Sequence, residues 1–396
     1  MRLLVILPRF PYPIEKGDKL RAFHQLRLLS RYHEIHLIAL SHQKVEARDI
    51  EKVKPFCKSI EIIRLGWIGV GLNLIRAFFN KLPFQVGYYY SKEAKKRVDS
   101  AVKKLQPEHI YCQLLRTAEY GSGYRIPATI DYQDVFSKGV ERRIPQVRGV
   151  MKWLLGMEYH RLLKYEYRVF ERFENKTIIS VPDREQIPHP GRDEIVIVPN
   201  GVDHSYFKPR KMPVTHELIF TGNMGYPPNV NCAEYLVKKV LPIVHQKLPV
   251  IRIMIAGATP NSKVKALASE FVTVTGWVDD ITSCYASARV FLAPMQMGTG
   301  LQNKLLEAMS MKMPCITSSL CNSALKAAPG IEILIGDSPE QVADHIISLL
   351  NNPGLSEKIA TAGYDFVHRK YSWEGATKGL LRVIGNQHEL NQGTVQ

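Results

Sequence analysis

Short apolar runs alternate with amphipathic stretches along nearly the whole chain, and no other feature restricts the fold as much. Buried strands a few residues long, each followed by a helix with one apolar face, make parallel α/β sheets. The rhythm predicts strands at Leu3–Leu7, Ile35–Leu40, Ile60–Leu65, His109–Cys112, Ala128–Asp131, Thr177–Val181 and Glu194–Val198. After a turn-rich interval it restarts at Glu217–Thr221, Ile251–Ala256, Val272–Thr275, Val290–Ala293, Cys315–Ser318 and Ile331–Ile335. Between the first two strands Leu20, Phe23, Leu26 and Leu29 recur at three-residue steps, the mark of a helix with one buried face.

The interval is a cluster of turn formers, Pro199-Asn200-Gly201, followed by Phe207-Lys208-Pro209 and Pro213, which suits a linker better than a regular element. A chain of 396 residues exceeds what one hydrophobic core usually sustains. Two doubly wound domains are therefore expected, residues 1–203 and 204–372, although their sequences show no obvious repeat.

Six cysteines stand singly, without the paired spacing of a zinc site or a disulfide framework, and read as small buried residues. The apolar run after Arg2 ends at Pro8, too short for a secretory signal, so the expected location is cytoplasmic. A formal charge of +16 favours anionic partners: nucleic acid, phosphorylated small molecules or an acidic membrane. No zinc finger, RNP-type aromatic motif or recognisable basic recognition helix accompanies the charge, and nucleic acid is not expected.

Two segments stand apart. Gly66–Phe84 is apolar but interrupted by Asn73 and Arg76 and too short to span a bilayer. It is read either as a helix packed on the first sheet or as a membrane-facing helix with Trp67, Arg76 and Lys81 at the interface. Around Met151–Leu155 and Tyr159–Phe173, basic residues alternate with aromatic and aliphatic ones at helical spacing. That pattern describes an ordinary solvated face or a basic surface for anionic lipid, peripheral on the inner face of the cytoplasmic membrane.

Ligands of open parallel sheets bind beyond the carboxyl ends of the strands, where helix N-termini hold phosphate. Two loops occupy such places. Val290–Ala293 runs into a loop whose Gly298 and Gly300 let backbone approach an anion, then into a helix with Lys304 on its first turn. Glu307 lies three residues beyond Lys304 on the same helix side, within the apolar run Leu305–Met309, where an unpaired carboxylate is costly. It is placed to accept the hydroxyls of a ribose; the alternative is a solvated surface glutamate. The other loop, Gly222-Asn223-Met224-Gly225-Tyr226-Pro227-Pro228-Asn229, offers Asn223 as a donor to phosphate or hydroxyl oxygen. It reads equally as a tight turn with Asn229 as helix N-cap.

Four segments, in order and spacing, carry a resemblance: Val198–Asp203, Phe220–Met224, Val274–Asp280 and Lys304–Met309. They resemble the GT4 family of retaining glycosyltransferases with the GT-B fold, and among these the sugar transferases of bacterial exopolysaccharide clusters. The C-terminal half matches almost end to end. The N-terminal half matches more loosely, through Pro8–Pro11 with Gly17–Arg21 and through Asp131–Asp134.

The resemblance implies two Rossmann-like domains facing each other across a cleft, with a UDP- or GDP-sugar bound by the C-terminal one. Glu307 would hold the ribose, amides near Gly300 and Leu301 the diphosphate, and backbone around Val278 the base. The loop at Gly17 would close over the site, and a glycan or polyprenyl-diphosphate-linked acceptor would enter along the N-terminal domain. A final helix from about Trp373, within residues 373–396, would cross back to that domain ahead of a polar tail.

Three positions depart from the family pattern. Thr299 replaces the first of two glutamates and leaves the donor sugar open. Asn223 and Asn229 replace the usual arginine and lysine, making Lys304 the clearest charge for the diphosphate. Gln133 replaces a histidine beside Asp134, so no general base is named. Retaining transfer of this kind lets the departing phosphate take the acceptor proton, so catalysis would rest on positioning and on stabilising the leaving diphosphate. Asp131 and Asp134 are the candidates for acceptor contact, alternatively ordinary strand-end and turn carboxylates. No acidic cluster has the spacing of a metal site, and neither metal nor cofactor is expected. The competing readings are a nucleotide-sugar epimerase of the same shape, a non-catalytic nucleotide-sugar-binding relative, and a nucleic-acid-binding protein inferred from charge.

Overall fold

The computed structural model describes residues 1–298 and 300–385. The chain forms two compact units: Met1–Pro199 with the residues from Ala376 onward, and Asn200–Gly375. Each is a doubly wound, Rossmann-like α/β domain built on one parallel sheet.

In the first unit the strands are β1 (Arg2–Leu7), β2 (Glu34–Ser41), β3 (Ser59–Arg64), β4 (His109–Gln113), β5 (Ala128–Asp131), β6 (Asn175–Ile178) and β7 (Val196–Ile197), in the order β3-β2-β1-β4-β5-β6-β7. Val5 of β1 pairs with Leu37 on one side and Tyr111 on the other. All of Leu3–Leu7 is buried, as a central parallel strand covered on both faces requires. One side packs Leu4, Ile6, Ile110 and Ile130 against the helix Gly149–Arg172 through Leu162, Tyr165 and Val169. The other packs Leu3, Val5 and Leu7 against Leu26 and Leu29 of the helix Gly17–Leu29, and against Leu380, Leu381 and Ile384 of the helix Trp373–Ile384.

The second sheet comprises β8 (His216–Thr221), β9 (Ile253–Ala256), β10 (Val272–Gly276), β11 (Ala288–Ala293), β12 (Cys315–Thr317) and β13 (Leu334–Ile335), in the order β10-β9-β8-β11-β12-β13. Ile219 of β8 pairs with Met254 and with Phe291. Its core is drawn from residues 202–371. The turn-rich interval expected as a linker contributes to this unit: Val202 is buried, bridges to Ser372, and is followed by an Asp203-capped turn that brings Phe207 onto the core.

Three local expectations change. The strand at Thr177–Val181 stops at Ile178, because the Ser180 side chain accepts a hydrogen bond from the Asp183 N–H and starts a helical turn at Val181. Cys57 is half-buried, unlike the other five cysteines, which are buried; all six are free thiols. The Gly66–Phe84 segment forms the helix Trp67–Phe79, only part of which is packed. Val70 and Ala77 are buried, whereas Trp67, Leu72, Ile75, Phe78 and Phe79 are exposed. Among the described residues, no helix is long and apolar enough to cross a membrane.

Candidate functional site

The order of the second sheet fixes where a ligand belongs. From β8 the chain builds outward through β9 and β10, then crosses to β11 and builds the other way. The switch point therefore lies between β8 and β11, and the loops after these two strands flank a crevice at their carboxyl ends. They are the two loops singled out from the sequence.

After β8 the chain needs glycine. Gly222 has φ +153°, and a Cβ there would lie 2.7 Å from the Asn229 Nδ2; a Cβ on Gly257, beyond β9, would lie 1.9 Å from the Gly222 carbonyl oxygen. Asn223 closes the turn: its Oδ1 accepts from the Gly225 N–H at 2.9 Å and the Thr259 hydroxyl at 2.7 Å. Its Nδ2 is engaged by no described residue and stays available to a ligand. Asn229 is not the N-cap expected of it. The helix Pro227–Tyr235 starts from Tyr226 without a side-chain cap, and Asn229 sits a turn inside it. There its Nδ2 donates to the Asn223 carbonyl at 2.9 Å, and its Oδ1 accepts from Lys304 Nζ at 2.6 Å.

After β11, Gly298 turns at φ +96° and the helix starts at Asn303, a few residues later than the expected start near Gly300. Gln302 is its N-cap residue, but the side chain donates to the Gly300 carbonyl at 2.9 Å, so among the described residues no side chain caps the first amides. Thr299 lies outside the described residues. Leu301 packs on the core and anchors the loop.

Lys304 lies over the Phe220 ring at 5.1 Å and 3.9 Å from the Met295 sulfur. Among the described residues no carboxylate pairs with it. Burial lowers its pKa, as expected of a cation without a counter-ion. Glu307 Oε2 accepts from the Tyr285 hydroxyl at 2.8 Å, and Tyr285 in turn bonds Thr221 at 2.7 Å. Oε1 has no hydrogen bond within the described residues. Burial raises the carboxyl's pKa, while Tyr285 and Lys304 oppose the rise. Glu307 is therefore a half-buried, oriented carboxylate and not a solvated one. Val278, beyond β10, is half-buried against the same core. The crevice thus gathers a cation, uncapped helix amides, an amide donor and a carboxylate with one free oxygen, an arrangement suited to a nucleoside diphosphate.

The first unit separates its candidates. Asp131 is fully buried, and both oxygens are taken: Arg21 donates to them at 2.7 and 3.0 Å, Thr177 at 2.8 Å, Tyr111 at 2.9 Å and Gln133 at 3.3 Å. Within the first unit both oxygens serve the core, which favours the reading of Asp131 as a structural strand-end carboxylate. Asp134 is exposed, with Oδ1 accepting from the Val135 N–H. Gly17 is exposed at the head of its helix with open space around it. Residues missed in the sequence are Asn229 as the holder of Lys304 and Tyr285 as the holder of Glu307. The contacts span 75 and 22 positions, and nothing local announces them.

Residues 215–352 match the family model of group 1 glycosyl transferases. Over 93% of its length the chain is 23% identical to an uncharacterized 44.6 kDa protein in the cps region of Klebsiella pneumoniae, covering 96% of that protein. Its fold is similar to that of sucrose-phosphate synthase from Thermosynechococcus elongatus, with a TM-score of 0.71 and 15% identity over 100% of both chains. It is also similar to Anabaena Alr3699/HepE in complex with UDP, with a TM-score of 0.67 and 11% identity over 96% of this chain and 99% of that one. The fold is thus that of GT-B glycosyltransferases, and together with the group 1 match in the second unit these findings support a glycosyltransferase.

Proposed function

We propose that the chain is a retaining glycosyltransferase of the GT4 type that moves a sugar from a UDP- or GDP-sugar to a glycan or lipid-linked acceptor in capsular or exopolysaccharide synthesis. The observation that carries this reading is Lys304, a half-buried cation that no carboxylate pairs with among the described residues, set beside helix amides that no described side chain caps and the open oxygen of Glu307. The Anabaena neighbour is described with UDP and with UDP-glucose, and the Klebsiella relative comes from a cps region; both favour this donor and this pathway class.

In this reading Glu307 accepts the ribose hydroxyls, while Lys304, the amides from Gly300 and Leu301 to Asn303, and Asn223 Nδ2 hold the diphosphate. Backbone at Val278 meets the base. The bond from the anomeric carbon to the phosphate oxygen breaks, the acceptor oxygen bonds that carbon from the same face, and its proton passes to the departing phosphate. Lys304 and the amides stabilise the developing charge, a contribution of about 10²–10³ in rate for a single well-placed donor. No step requires a protein carboxylate as base, which suits an Asp131 whose oxygens are all occupied. The reading needs no metal; among the described residues no three His, Cys, Asp or Glu side chains gather as a metal site.

We place the reaction at an anionic membrane surface, served by the exposed apolar side of the helix Trp67–Phe79 and the exposed Val150, Met151 and Trp153. Farther along the helix Gly149–Arg172, the basic stretch alternates with a buried face and is an ordinary solvated side. The test is a thermal-shift panel of UDP, GDP and ADP against the wild type and Glu307→Ala. One diphosphate nucleotide should stabilise the first and not the second. If none stabilises the wild type, the donor site falls; binding without transfer to any acceptor would leave a nucleotide-binding relative. Sedimentation with anionic liposomes at low salt checks the membrane reading, and protein left in the supernatant would refute it.

A further inference from the structure

The first sheet has a switch point of its own, between β1 and β4, and two arginines stand at it: Arg9 two residues past β1 and Arg116 three past β4. Their guanidinium carbons lie 5.9 and 5.0 Å from the centre of the same Tyr89 ring. Arg9 is partly neutralised by Asp18 at 2.6 Å. Arg116 has no direct ion pair among the described residues, with Asp18 and Asp134 acting on it only at a distance; its Nε is buried without a partner, and its one hydrogen bond is a long 3.5 Å contact to Gln85. The Phe136 ring also lies beside it, its centre 4.9 Å from the guanidinium carbon. Half-burying an arginine with no direct ion pair is costly, and two aromatic rings and distant carboxylates repay only part of that. The backbone that delivers it is strained as well, for Leu114 has φ +63° and ψ 155°, a region nearly reserved for glycine.

From Tyr89 the cluster runs outward through aromatic contacts. His42, next after β2, lies 5.2 Å from the Tyr89 ring and stacks at 5.7 Å on Trp67 at the head of the exposed apolar helix. The two chain segments beside this path are rich in basic residues: 62–92 and 142–157 hold Arg64, Arg76, Lys81, Lys92, Arg142, Arg143, Arg148 and Lys152, and the carboxylate of Glu158, next after the second, is taken by the Phe84 and Gln85 amides. Arg161 ties the two segments together by donating to the carbonyls of Ala77, Phe78 and Leu82.

We propose that Arg116 and Arg9, at the switch point of the first sheet, bind the phosphate groups of a prenyl-diphosphate type of acceptor, whose hydrocarbon lies along Trp67 and the exposed apolar side of its helix. The proposal rests on the acceptor half of the transferase reading. It is tested apart from the donor half by titrating the full-length protein with farnesyl diphosphate, inorganic pyrophosphate and UDP.

Farnesyl diphosphate should bind at least tenfold more weakly to Arg116→Gln than to wild type, with UDP affinity unchanged; Lys304→Gln should show the reverse. Farnesyl diphosphate should also bind wild type more tightly than pyrophosphate, and Trp67→Ser should remove that advantage. If Arg116→Gln does not fold, Arg9→Gln carries the comparison. Equal farnesyl diphosphate affinity in wild type and the arginine variants overturns the site, as does a loss confined to Lys304→Gln, which would send the diphosphate to the donor crevice. Pyrophosphate binding as tightly as farnesyl diphosphate overturns the lipid assignment and leaves a site for free phosphate. Failure of UDP to bind, with the arginine effect intact, removes the donor reading and leaves this site standing.

Discussion

The proposed donor crevice depends on a few contacts that hold Lys304 and Glu307 near each other, with neither in a direct ion pair among the described residues. Gly222→Ala tests the scaffold. Its Cβ would meet Asn229 at 2.7 Å with φ at +153°, so the backbone strain of about 1–3 kcal/mol comes with displacement of the amide that holds Lys304. Both stability and UDP affinity should fall, and Asn229→Leu should reproduce the loss of affinity without the backbone strain. If Asn229→Leu binds UDP like wild type, Lys304 does not need that tether. Asp131→Ala makes the opposite prediction. It removes the carboxylate that Arg21 pairs with in the core, a loss of about 3–5 kcal/mol that chemical denaturation would measure, while UDP affinity is preserved, because Asn223, Lys304 and Glu307 lie in the second unit. A variant as stable as wild type but deficient in transfer would restore Asp131 to the reaction.

At the scale of elements, the strands were legible because parallel strands buried on both faces appear as unbroken apolar runs, as at Leu3–Leu7 and Val290–Ala293. Their ends were less so: Thr177–Val181 runs past its true end because a capping serine looks like any other serine. The two donor loops were legible from glycines at strand ends. The pairing of Arg21 with Asp131, 110 positions apart, was not, although both residues had been noticed in separate motifs.

One element contact carries a pH signature. Glu166 of the helix Gly149–Arg172 accepts from the Ser137 N–H at 3.0 Å and from its hydroxyl, and burial raises its pKa to about 7. The unfolded carboxyl titrates near its ordinary value of about 4.3, so the folded state binds the extra proton between these limits. The contribution to stability is present below about pH 4, declines as pH rises and is lost above about pH 7. Its span is on the order of 3–4 kcal/mol. Denaturation from pH 4 to 8 should show that decline, flattened in Glu166→Gln; an unchanged slope in the variant would assign the effect to other groups.

For the molecule as a whole, the proposed donor and acceptor sites fall in different units. The second sheet's switch point offers a cation, amides and a carboxylate; the first offers arginines and an aromatic path to exposed apolar side chains. The second unit's core is drawn from residues 202–371, so a nucleotide bound at Lys304 and Glu307 acts on the stability of that unit. Binding to the native state alone stabilises it by about 2.7 kcal/mol at a hundred times the dissociation constant. Calorimetry should therefore resolve two transitions, of which saturating UDP raises one. Farnesyl diphosphate below its aggregation concentration should raise the other, and Glu307→Ala should cancel only the UDP shift. A single transition raised by both ligands would mean that the units unfold as one cooperative body, and affinities would then have to be measured by direct titration. A UDP shift of the transition weakened by Asp131→Ala, in place of its companion, would put the nucleotide in the first unit and overturn the assignment of both crevices.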